Sequence, residues 1–152
     1  AVLLREHHMP YSTRTDIEDI FGPINVQTWG NLDAGDIEDE DVLADIAARI
    51  TRAISHADDH INAILSGSDY TIPLSAQPGK SIGLITTISA TLAGCWLYEA
   101  RGLDDADDEG RPYNRDSSKK KSVETMLANI ADGSLKIDAV QATAGVNIPF
   151  VV

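Results

Sequence analysis

Leu43, Ile46, Ala47, Ile50, Ile54, Ala57, Ile61, Ile64 and Leu65 recur at three- and four-residue intervals. That spacing predicts one amphipathic helix over about Asp39 to Leu65. At 1.5 Å of rise per residue it would be roughly 40 Å long. Such a helix cannot bury its apolar stripe alone, so a chain of 152 residues must pack its other elements against it. Six of the nine residues from Asp33 to Asp41 are acidic and lead into its start. Carboxylates in a first turn suit the positive end of the helix dipole.

The remaining elements follow from local signals. "TDIEDIFGP" predicts a short helix capped by Thr15, with Glu18 completing a capping box and Gly22-Pro23 stopping it. Ile17, Ile20 and Phe21 form its buried side. A linker to about Asp36 is expected next, anchored by Trp29 and Leu32. "SGSDYTIPL", with Gly67 and Pro73, ends the long helix, and "AQPGK" makes a second turn. "SIGLITTISATLAGCWLY" belongs to a helix of about Ser81 to Arg101. Five of these residues are Ser or Thr and two are Gly, so the segment suits burial by protein better than a membrane. Ala90 and Gly94 stand four apart, which allows close helix approach. The last helix, about Ser118 to Ala131, is expected to bury Val123, Met126, Leu127 and Ile130 before Asp132-Gly133 ends it. The expected fold is therefore all-α: a small four-helix bundle-like domain over 15–133, with extended arms at 1–14 and 134–152.

Charge narrows the function. Twelve Lys and Arg stand against 24 Asp and Glu, a net charge of −12, which opposes a surface that grips phosphates. Cys95 is the only cysteine, so an intrachain disulfide and a CxxC metal site are excluded. Val2 to Leu4 is too short for a secretory signal. There is no GxSxG, P-loop or GxGxxG, so no catalytic residue is expected and no enzyme.

Two segments raise metal chemistry. In "SHADDHINAIL", His56 and His60 share a helix face at ligand spacing, and a metal-binding hydrolase or regulator built on them is the alternative function. However, Ala57 occupies the place of the general base in HExxH, and both histidines lie opposite the apolar stripe, beside Arg49 and Arg52. No metal or other cofactor is expected there. The loop Asp105 to Asp116 places Asp105, Asp107, Glu109, Gly110 and Asp116 at calcium-loop positions 1, 3, 5, 6 and 12. It departs from the pattern with Pro112 at position 8 and Asp in place of Glu at 12. An acidic solvated loop is the expected reading.

The order of these segments resembles the small phage head–tail connector (adaptor, or head-completion) proteins of the Mu-like neck family. "TDIEDIFG", "IAARITRAISHADDHINAIL", "YTIPL", "CWLYEA" and "MLANIADGSLKI" carry the resemblance, from Thr15 to Ile137. It implies a virion structural protein made in the host bacterial cytoplasm. Its place would be the neck, in a ring of roughly twelve copies docked under the portal. The ring would extend the DNA channel and present a platform to the tail or to further neck proteins, with no membrane involved. Family members often carry a calcium-loop-like segment before the second helix. Here "NLDAGDIEDED" keeps Gly35 and Ile37 in register but has Gly30, Leu32 and Ala34 at ligand positions. A channel that passes DNA without holding it would be lined by acids. Candidates for that acidic channel or solvent face are Asp36, Glu38, Asp39, Asp104, Asp105, Asp107 and Asp108. In the C-terminal arm, Val146, Ile148, Phe150 and Val152 alternate along one side of an extended strand. They are the candidate partner-binding residues.

Overall fold

The computed structural model describes residues 9–101 and 114–142, the side chains of 114–117 excepted. Five helices are present among them: α1 (Arg14–Phe21), α2 (Pro23–Gly30), α3 (Glu40–Leu65), α4 (Gly83–Glu99) and α5 (Asn114–Asp132). The fold is all-α, with one helix more than the sequence suggested. α4 sits at the centre and touches the other four. Ile85, Ile88, Ala90, Ala93, Cys95 and Leu97 are all buried along its length. Two of its hydroxyls are satisfied locally, since Thr87 and Thr91 donate to the carbonyls of Gly83 and Thr87 one turn back. No helix among the described residues is long and apolar enough to cross a membrane.

Two boundaries differ from expectation. The cap of α1 is Thr13, not Thr15, and the capping box closes on Asp16. Glu18 instead pairs with Arg14 one turn before it, at 3.6 Å. The expected linker after Pro23 is largely α2. Gly22, at φ 92°, ends one helix and Pro23 begins the next, because proline at the first helical position gives up an amide that would have no partner there. Val26 and Trp29 anchor α2 in the core.

α3 begins where the sequence places it, with Asp39 accepting from the Asp41 amide at 2.8 Å. Its buried face is Ile46, Ile50, Ala53, Ile54, Ala57, Asp58, Ile61 and Leu65. Leu43 and Ile64, expected in the stripe, are 40% and 43% exposed, and Ala47 is also exposed. The close helix approach expected at Gly94 is made to α1. A Cβ on Gly94 would lie 2.1 Å from the Phe21 ring of α1.

Residues 11–12 and 138–142, expected in the arms, pack on the helical domain. Tyr11 and Ser12 are buried. The Tyr11 amide donates to Asp58 Oδ2 (2.9 Å) and Ser89 Oγ donates to Asp58 Oδ1 (2.7 Å). Ser12 and Ser89 share a further hydroxyl hydrogen bond of 2.7 Å. The Tyr11 hydroxyl donates to Asn62 Oδ1 and accepts from the Leu74 amide. At the other end, residues 138–142 lie antiparallel to 69–77. Thr71 donates to Val140, Gln77 to Asp138, Val140 to Ser75 and Ala142 to Asp69. Ala139 is fully buried. These backbone groups would lose water on packing, so the pairing satisfies them. The stretch up to Ala142 thus belongs to the domain.

Tyr11 gives the fold an alkaline limit. Burial, foremost, holds its hydroxyl above the ordinary 10.0. The Glu99 hydrogen bond, foremost, holds Lys120 above its ordinary 10.5. For both groups the folded state keeps its proton longer than the unfolded one, so their contribution is complete below about pH 10 and lost as pH rises through the raised values. Unfolding midpoints in urea should fall steeply only above that pH. Tyr11→Phe should flatten part of this fall while lowering stability at neutral pH, where the Leu74 amide loses its acceptor. An unchanged alkaline slope in the variant would remove Tyr11 from the explanation.

Candidate functional site

The acidic segment is a folded loop between α2 and α3. Asn31 holds it together: its Nδ2 donates to the Gly35 carbonyl at 2.9 Å and its Oδ1 accepts from the Gly35 amide at 3.0 Å. Ala34 takes a left-handed φ of 49° at the turn, and Gly35 lies against Val42, where a Cβ would be 2.8 Å from Cγ2. Asp36 accepts from the Glu38 amide and Asp39 caps α3. Asp33, Asp36, Glu38, Asp39, Glu40 and Asp41 are all exposed. The ion pairs among the described residues are Arg14–Glu18 and Lys120–Glu99, so none of these six carboxylates meets a cation among them. A concentrated, unneutralised negative edge repels phosphates and attracts bases.

His56 and His60 are exposed and line a cleft of about 200 Å³ between α3, α4 and α5. The His56 ring stacks on Trp96, with centroids 5.0 Å and planes 22° apart. Across the cleft Lys120 Nζ is 2.8 Å from Glu99 Oε1. Among the described residues no group of three or more His, Cys, Asp or Glu side chains converges as metal ligands would. The two aspartates between the histidines explain part of this. Asp58 is turned into the core and Asp59 stays at the surface. The stack on Trp96 and the burial of Asp58 escape the sequence, because each depends on which helix lies opposite.

Aromatic residues also pack around the C-terminal end of α4. Phe21, Trp29 and Tyr98 meet edge to face, with centroids 5.4 and 5.1 Å apart, and the Arg101 guanidinium lies 3.9 Å from the Tyr98 ring centre. These contacts fix where the chain leaves α4. Asp104, Asp105, Asp107 and Asp108 and most of the loop Asp105 to Asp116 lie outside the described residues. So do Val146, Ile148, Phe150 and Val152.

No curated protein matches the chain. A family model described as Bacteriophage Mu, Gp36 matches residues 11–147. That span starts at Tyr11, the first residue of the Asp58 network, takes in all five helices and continues past the pairing of 138–142 with 69–77. A match over nearly the whole chain makes this a phage protein of the structural or morphogenetic kind, and the chain belongs to the Bacteriophage Mu, Gp36 family.

Proposed function

We propose that this protein is a head–tail connector of the virion neck. Subunits form a ring under the portal that extends the DNA channel and offers the tail, or a further neck protein, a surface to dock on. The observation that carries this reading is an exposed acidic edge, meeting no cation among the described residues, on a phage family member. A channel surface must let DNA slide past, and carboxylates offer phosphates no counterion-releasing contact. The subunit works by binding, and its partners are its own copies, the portal and the tail or neck-completion proteins. It is made in the host cytoplasm and carried in the particle.

The arm that docks to neighbours is the C-terminal segment beyond Ala142, in whose sequence Val146, Ile148, Phe150 and Val152 alternate with other residues. Pro149 cannot donate a ladder hydrogen bond, which suits an edge position. A phage lacking the gene should make DNA-filled heads and free tails that do not join, and the full-length chain should restore plaques. The chain truncated after Gly145 should keep its melting temperature, because the pairing of 138–142 with 69–77 remains, yet fail to restore plaques. Tailed, infectious particles from the deletion phage would overturn the connector reading. Restoration by the truncated chain would overturn the docking arm alone.

A further inference from the structure

We propose that the free subunit pairs with a second copy through the outer face of the first half of α3, the two helices running antiparallel about a two-fold axis. At about 100° per residue, Asp41, Ala44, Asp45, Ala48, Arg49 and Arg52 fall on one side of α3. That side lies opposite the buried face. All six are exposed except Arg49, which is half-buried. Their order along the helix is self-complementary, with the acids in the first half, the bases in the second and the two alanines interleaved. When two copies cross near residue 47, Asp41 of each meets Arg52 of the other and Asp45 meets Arg49. The small side chains of Ala44 and Ala48 lie at the crossing and let the helices approach.

Among the described residues these charges are unused. Asp45 stands one turn before Arg49, a spacing at which ion pairs form, yet no such pair exists among those residues. Arg49 Nε is covered and meets no acceptor among them. A two-fold contact uses the same patch on both copies and is closed. It is therefore a form of the free subunit, separate from the lateral contacts of any ring, and it does not rest on the connector reading.

Sedimentation of the purified protein at low salt tests this. The wild-type chain should form dimers that dissociate as salt is raised, since the contacts are exposed ion pairs. Arg52→Glu and Asp41→Lys should each weaken self-association at least tenfold, with circular dichroism unchanged because both side chains are exposed. Mixing the two variants should restore a 1:1 pair. In it the two substituted side chains face each other with opposite charge, and the unsubstituted Asp41 of one chain faces the unsubstituted Arg52 of the other. A second restoration is expected within one chain carrying both substitutions. A wild-type protein that stays monomeric at low salt would overturn the proposal. Variants that associate as the wild type does would also overturn it, as would a mixture that stays monomeric. Loss of association on neutralising Asp104, Asp105, Asp107 and Asp108 instead would assign the basic half of the face to that loop and equally overturn it.

Discussion

Replacing Asp58 with alanine is expected to remove roughly 2–6 kcal/mol of stability, because two buried donors lose their acceptor at about 1–3 kcal/mol each. The carboxylate is 3% exposed and binds the Tyr11 amide and the Ser89 hydroxyl. It thereby ties the chain entering α1 to both α3 and α4. A domain of this kind is stable by only about 5–15 kcal/mol, so the variant should melt roughly 5–20 °C lower. Asp58→Asn keeps one acceptor oxygen but turns an amide donor toward the other partner, and should fall between the two. Urea unfolding of all three chains checks the order. A change below about 0.5 kcal/mol in the alanine variant, the range of ordinary surface substitutions, would mean the network does not hold the fold.

The second large effect is expected at Gly94. Its Cα faces the Phe21 ring so closely that a Cβ would stand 2.1 Å from one ring carbon and 2.4 Å from the next. Phe21 is itself 8% exposed and packed edge to face on Trp29, so the ring has nowhere to retreat. Overpacking of this kind costs about 1–3 kcal/mol and occasionally more. Gly94→Ala should lie at the upper end, with α1 displaced from α4. Phe21→Leu should recover part of the loss in the double variant although it is destabilising alone. That coupling identifies the contact. Additive effects of the two substitutions would place the strain elsewhere.

The elements legible in the sequence were those whose signal is local and repeated. α3 declares itself through its 3.6-residue period and α4 through a long uncharged run, and α5 ends at Asp132-Gly133 as its composition suggests. α2 was hidden because Gly22-Pro23 reads equally as the end of one helix and the start of another, and Val26 and Trp29 are too few to set a period. Asp58 was hidden for a different reason. Helical spacing puts Asp58 at the edge of the apolar stripe but says nothing of its partners, which lie 47 and 31 residues away. Their convergence exists only once α1, α3 and α4 are packed. The same holds for His56 on Trp96 and for Ala139 beneath the loop after α3. Long-range polar pairing leaves no periodic trace in a single sequence. The exposed edge at Asp33 to Asp41, by contrast, was readable from charge density alone, since six carboxylates so close together resist burial without cations.

The connector function is tested most directly by a cryo-electron reconstruction of the neck in purified virions of the phage that encodes this chain. The expected result is a closed ring of five-helix subunits between portal and tail, with the Asp33 to Asp41 edge facing the DNA channel or solvent. A virion whose portal meets the tail without this subunit, or one that carries it elsewhere, would contradict the connector function.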